Sequence, residues 1–177
     1  MPLLQPHPLL LGRKPRVNQV TYRLFIDGAC RGNPGPAAYG CILYKGQEIL
    51  LKEKGYIGKG TNNSAEYTAL IKGLEAAWKA GVREELEVFS DSQLLVRQIT
   101  GRYKVKNPHL QRLFQEAQTL LKRFKRVHIF HIDRRLNKEA DRLANRALDE
   151  VLKKTGQSPA GANLREESPG PTGQGAG

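Results

Sequence analysis

The chain has 177 residues, 39% of them apolar, and carries 29 Lys and Arg against 17 Asp and Glu, a net charge of +12. That length suits one globular domain with tails, and no apolar run approaches the ~18–20 residues that a bilayer span needs. Cys30 and Cys41 are the two cysteines and lack metal-ligand spacing, which excludes a disulfide framework and a zinc cluster, while the cationic surface favours a polyanionic partner.

The first dozen residues hold Leu3-Leu4 and Leu9-Leu10-Leu11 but are broken by Pro2, Pro6 and Pro8. They lack the basic lead and small-residue cleavage site of a secretory signal, so a cytoplasmic protein without membrane association is expected. Residues 1–17 show no apolar period and read as a disordered arm. Residues 155–177, rich in Gly, Pro, Ser and Ala, read as a disordered tail, which leaves 18–154 as the domain.

Within the domain, Val20 to Ile26 alternates as a strand and runs into Asp27-Gly28. Tyr39 to Tyr44 and Gln47 to Tyr56 follow as a second and third strand, with Lys45-Gly46 between them as a tight hairpin. Asn62 is a candidate cap for a helix over 63–80, whose apolar side is Ala65, Ala69, Leu70, Leu74 and Ala77 and whose terminator is Gly81. Leu86 to Ser90 is a fourth strand and Ser92 to Thr100 a short helix. After Pro108, Leu110, Leu113, Phe114, Ala117, Leu120, Leu121 and Phe124 fall at helical spacing. Val127 to Ile132 is a fifth strand, and a last helix over 137–153 carries Ala140, Leu143, Ala144, Ala147, Leu148 and Val151 on one stripe.

This order predicts an α/β fold with a five-stranded mixed sheet. Short loops make strands one to three an antiparallel meander. Strands four and five each follow a helix and add in parallel through right-handed crossovers, with helices on both faces.

Four acids stand out by position. Asp27 and Asp91 follow the first and fourth strands, which this topology can make neighbours, and Glu66 and Asp141 sit near the starts of two helices. An isolated acid is usually a solvated surface group. Four carboxylates at one sheet edge are different, because like charges raise one another's pKa unless a cation neutralises them. Mg²⁺ takes oxygen ligands, and two such ions ~3.5–4 Å apart can clamp the attacking and leaving oxygens of a phosphodiester. Carboxylates on a basic chain therefore point to metal-assisted phosphoryl chemistry.

Four segments carry a family resemblance. Asp27-Gly28-Ala29-Cys30-Arg31-Gly32-Asn33-Pro34-Gly35-Pro36-Ala37, Thr61-Asn62-Asn63-Ser64-Ala65-Glu66, Ser90-Asp91-Ser92 and Asn137-Lys138-Glu139-Ala140-Asp141-Arg142-Leu143-Ala144-Asn145 resemble, in order, the motifs of type 1 ribonucleases H. The likeness covers roughly residues 19–150. It implies an endoribonuclease that cuts the RNA strand of an RNA–DNA hybrid, leaving 5′-phosphate and 3′-hydroxyl ends. Asp27, Glu66, Asp91 and Asp141 would ligate two Mg²⁺ ions, with Mn²⁺ as a substitute, in a monomeric enzyme.

The resemblance also implies that Glu66 and main-chain groups near Cys30 and Gly32 meet RNA 2′-hydroxyls, the group that distinguishes RNA from DNA. Asn33, Asn62 and Asn63 would reach bases or sugars in the minor groove, although Asn33-Pro34-Gly35 is also a good turn and Asn62 a good cap. Lys59, Thr61 and Asn107 match the positions that grip a DNA phosphate.

Two departures stand beside the match. Only Gly101 to Lys106 bridges the second and third helices, where many bacterial members carry a basic protrusion with its own helix; Arg97, Arg102, Lys104 and Lys106 are the nearby basic residues. The auxiliary catalytic group is the second departure. His131 stands ten residues before Asp141, the usual histidine spacing, but the strand pattern places it inside strand five as a packed residue and puts Arg134 in the loop. Arg134 is the favoured candidate. A catalytically dead binding module and a related nuclease of the same broad fold are the rival classes; the four intact carboxylates speak against the first and the asparagine-rich motifs against the second.

Overall fold

The computed structural model describes residues 20–156. It contains β1 (Tyr22–Cys30), β2 (Gly35–Lys45), β3 (Glu48–Gly60), α1 (Asn62–Lys79), β4 (Glu85–Ser90), α2 (Gln93–Ile99), α3 (Pro108–Leu121), β5 (Arg126–His131), a 3-10 turn (Arg134–Leu136) and α4 (Lys138–Lys154). The sheet order is β3-β2-β1-β4-β5. β1 to β3 pair antiparallel, whereas β4 runs parallel to β1 and β5 parallel to β4. This is the mixed sheet that the element order predicts. The expectations for residues 1–17 and for 157–177 fall outside the described residues, while Thr155 and Gly156 close α4.

Side-chain alternation along β1 sorts the two faces. Leu24 and Ile26 join Leu70, Leu74 and Ala77 of α1, Leu120 of α3 and Val88 of β4 in the main core. Phe25 points the other way and packs with Ile42, Tyr44 and Leu143 of α4; farther along, Ala38 meets Ala147 and Leu148. Small residues let α4 lie directly on the sheet. A Cβ on Gly40 would stand 2.4 Å from the Ala140 carbonyl oxygen, so only glycine permits this approach.

The structure shifts several predicted boundaries, each for a physical reason. β1 continues to Cys30, because β2 starts at Gly35 and pairs with it along its whole length, out to Cys30 opposite Ala37. The β1–β4 ladder stops at Phe25 opposite Phe89. Asp27 is thus inside one ladder and beyond the end of the other. The hairpin turn is Gly46-Gln47, between paired Lys45 and Glu48, with Gly46 at φ +60°. Thr61, not Asn62, caps α1: its hydroxyl accepts from the Ser64 N–H at 3.1 Å, and the Ser64 hydroxyl accepts from the Thr61 N–H at 2.8 Å. Phe124 lies past the end of α3 and is buried against the edge of Trp78. No helix occupies 100–107, so the absent protrusion helix is a feature of the fold.

Candidate active site

Asp27 is the buried hub of the site, at 4% exposure on the face that α4 covers. The charges of Glu66, Asp91 and Asp141 all bear on its carboxyl. Carboxylate oxygens of Asp27, Glu66 and Asp91 lie within 4.8 Å of one another. Asp141 adjoins this trio from the first turn of α4, where its Oδ1 accepts from Asn145 Nδ2 at 3.0 Å. The four acids come from β1, α1, the end of β4 and α4, and the fold brings all of them together as the sequence predicts.

Gly28 explains how Glu66 reaches the hub. A Cβ there would stand 2.4 Å from the Ala65 carbonyl carbon and 2.5 Å from the Glu66 nitrogen. The missing side chain lets α1 press its first turn against β1. The Gly28 N–H then donates to the Glu66 carboxylate.

Electrostatics register the crowding. Burial and the charges of Glu66, Asp91 and Asp141 push Asp27 up to about 10. Burial and the Asp91 charge push Glu66 up to about 8, against the lowering effect of the Gly28 N–H, Asp27 and Arg134. Asp91 is also raised, chiefly by burial, with Asp27 and Arg134 opposing. Glu66 Oε2 is buried without a hydrogen-bond partner among the described residues. Oxygen-only donors, mutual repulsion and an orphaned carboxylate oxygen are what a hard divalent cation relieves.

The other anticipated residues fall into distinct places. The Cys30 thiol donates to the Gly32 and Gly60 carbonyls at 2.7 and 3.3 Å, and Gly32 turns the chain at φ +82°. Asn33 Oδ1 accepts from the Asn62 N–H at 3.1 Å, tying the β1–β2 loop to the start of α1. Asn62 and Asn63 are exposed in that first turn. Lys59 is exposed on the edge strand β3, beside Thr61, whose hydroxyl is engaged in its cap. Asn107 caps α3, its Oδ1 accepting from the N–H groups of His109 and Leu110 at 2.9 and 3.1 Å.

Arg134 opens the 3-10 turn, exposed, and its charge acts on both Glu66 and Asp91. His131 lies in β5, as the strand pattern predicts, but it is the last residue of that strand and is not packed. Its ring is exposed, and Nε2 lies 3.3 Å from the Asp91 carbonyl oxygen. The pattern gave the strand position; the strand's end leaves the ring outside.

Residues 25–147 match the family described as Reverse transcriptase-like. The ribonuclease HI of Halobacterium salinarum is 46% identical over 128 residues, 72% of this chain and 64% of that protein. The bifunctional protein Rv2228c of Mycobacterium tuberculosis is 46% identical over 125 residues, 70% of this chain but 34% of its own length. The crystal structure of LC11-RNase H1 in complex with an RNA/DNA hybrid superposes with TM-score 0.72 at 40% identity, covering 75% of this chain and 99% of that one. The chain belongs to the type 1 ribonuclease H family. It spans about a third of the length of the mycobacterial relative and about two thirds of the halobacterial one.

One residue of this ribonuclease H site escaped the sequence reading. Asn137 is buried, at 1% exposure, and its Nδ2 donates to the Ile26 carbonyl at 2.8 Å, directly beside Asp27. In the sequence it looks like one more helix cap. No helix of the described residues is long and apolar enough to cross a membrane.

Proposed function

We propose that the chain hydrolyses the RNA strand of RNA–DNA hybrids, with Asp27, Glu66, Asp91 and Asp141 holding two divalent ions, Mg²⁺ or in its place Mn²⁺. The observation that carries this reading is the convergence of Asp27, Glu66 and Asp91 oxygens within 4.8 Å from three separate elements. Mg²⁺ bound there supplies charge neutralisation and Lewis-acid activation at the phosphate. In the reaction, water adds to phosphorus, the P–O3′ bond breaks and the 3′-oxygen takes a proton, leaving 5′-phosphate and 3′-hydroxyl ends.

The chain's own residues supply position and selectivity. Cys30, Gly32, Asn33, Asn62 and Asn63 form one continuous rim beside Glu66, where main-chain groups and amides suit the 2′-hydroxyl and minor-groove edge of RNA. Lys59, Thr61 and Asn107 offer cationic and polar groups for the DNA strand, although Thr61 and Asn107 also serve as caps. The net charge of +12 draws the duplex in. Arg134 handles the phosphate or the departing product, since a guanidinium repels metal but binds phosphate in bidentate fashion. Every group named comes from one chain, so a monomer suffices.

Cleavage of labelled RNA–DNA, RNA–RNA and DNA–DNA duplexes with Mg²⁺ and with EDTA tests the proposal. Cutting confined to the RNA of the hybrid, and abolished by EDTA, is expected. Equal cutting of DNA–DNA, or cutting in EDTA, overturns it.

A further inference from the structure

We infer that Asn137 is the positioning residue of the carboxylate centre, setting β1, β4 and α4 in register with one another. The inference rests on reading the four carboxylates as one metal site.

The first observation is what Asn137 forgoes. It occupies the N-cap position of α4, where Asn ordinarily accepts from the N–H groups of the first turn. Here it makes no side-chain capping bond. Its amide instead crosses to the Ile26 carbonyl at 2.8 Å, and its Oδ1 is buried without a hydrogen-bond partner among the described residues. Both features cost stability in a helix start. A residue chosen only to stabilise α4 would turn its oxygen onto that helix.

The second observation is what Asn137 joins. Ile26 lies one residue past the last β1–β4 pair, so its carbonyl is taken by this side chain where the ladder has ended. The same amide lies close enough to the Asp91 carboxylate, just past β4, to favour its charged form. The Asn137 carbonyl accepts the Asp141 N–H at 3.1 Å, which fixes the start of α4, and the Asn137 N–H donates to the Arg134 carbonyl at 3.1 Å. One residue thereby contacts Asp91 and Asp141 directly, the residue preceding Asp27, and Arg134.

The test uses the full chain and three variants, Asn137→Ala, Asn137→Ser and Leu152→Ala. Leu152 is buried at the far end of α4 and matches the loss of packing without touching the site. Mg²⁺ alone is titrated by calorimetry, and kcat and KM are measured on a labelled hybrid well below each variant's Tm. Removing a residue that orients ligands costs ~10–100-fold in metal affinity, and a displacement of the order of 1 Å costs ~100-fold in rate. Asn137→Ala is expected to lose both, with KM changed less than threefold, and Asn137→Ser to recover part of each. Leu152→Ala should lower Tm and leave both unchanged.

Full Mg²⁺ affinity and kcat in folded Asn137→Ala overturn the inference, as does an equal loss in Leu152→Ala. Failure of both Asn137 variants to fold also overturns it, because the residue would then serve the fold. A parent chain that neither binds Mg²⁺ nor cuts the hybrid would sink the metal-site reading itself, whatever the variants do.

Discussion

Replacing Gly28 with alanine tests how the site is assembled without touching a charged group. The added methyl would stand 2.4 Å from the Ala65 carbonyl carbon, and ordinary contact begins near 3.4 Å. α1 must therefore withdraw from β1 by about 1 Å, because the obstacle is backbone and cannot rotate away. Overpacking of this kind costs about 1–3 kcal/mol, which for a domain of this size lowers Tm by very roughly 5–10 °C. The larger effect is on geometry, since the withdrawn turn carries Glu66 and removes the Gly28 N–H bond to its carboxylate. A displacement of about 1 Å at a reacting centre costs ~100-fold in rate. Melting in EDTA, calorimetry with Mg²⁺ and single-turnover cleavage of a labelled hybrid read the three quantities. The expected result is a folded protein with weakened Mg²⁺ binding and a much slower chemical step. Parental turnover in Gly28→Ala would refute the argument that close approach of α1 to β1 builds the site.

Asp27→Asn and Asp91→Asn keep shape while each removes one carboxylate ligand from the centre. We expect loss of cleavage on the order of 1000-fold with hybrid binding largely retained, measured by gel shift and rate; near-normal Mg²⁺-dependent turnover would contradict the metal assignment. Arg134→Ala should lower kcat by about 10–100-fold, the worth of a charge-assisted bond, with a smaller change in KM, whereas the exposed His131→Ala should stay near the parent. The reverse pattern in parallel kinetics would make the histidine at the β5 terminus the auxiliary group. The metal-free protein should lose stability as pH rises. Asp27 and Glu66 hold their protons in the folded state up to about 10 and about 8, while the unfolded chain releases them near 3.8 and 4.5. Across that window the folded state binds more protons, so unfolding becomes easier with increasing pH. Urea midpoints in EDTA at pH 5 and pH 8 should differ in that direction, and Mg²⁺ should shrink the difference; a higher midpoint at pH 8 in EDTA would contradict it.

The elements were legible where periodicity and punctuation agreed. Leu110, Ala117 and Leu120 face the core as their spacing requires, and Gly81 at φ +98° ends α1 where expected. The acids were legible because each adjoins a small residue, Gly28, Ala65, Ser92 or Ala140. Less visible was anything set by long-range pairing. Gly28-Ala29-Cys30 reads as a loop until β2 claims it as strand. Thr61 and Asn62 are both good caps, and the choice between them turns on Ser64 answering from the third helical position. His131 alternates correctly but has no neighbour beyond its strand's end to bury it. The amide of Asn137 reaches Ile26, 111 residues away in sequence, and no local pattern encodes that reach.

α4 also limits how the site can move. The helix that brings Asp141 is pressed onto the sheet through Gly40, Ala140 and Ala144, with Leu143, Ala147 and Leu148 sealed beneath it. Swinging it outward would expose the apolar residues of β1 and β2 that it covers, Phe25, Ala38, Ile42 and Tyr44 among them. The 3-10 turn just before it has no buried residue and carries Arg134; such a segment opens at low cost. Local opening beside Asp141 is therefore expected in this turn rather than in α4 itself.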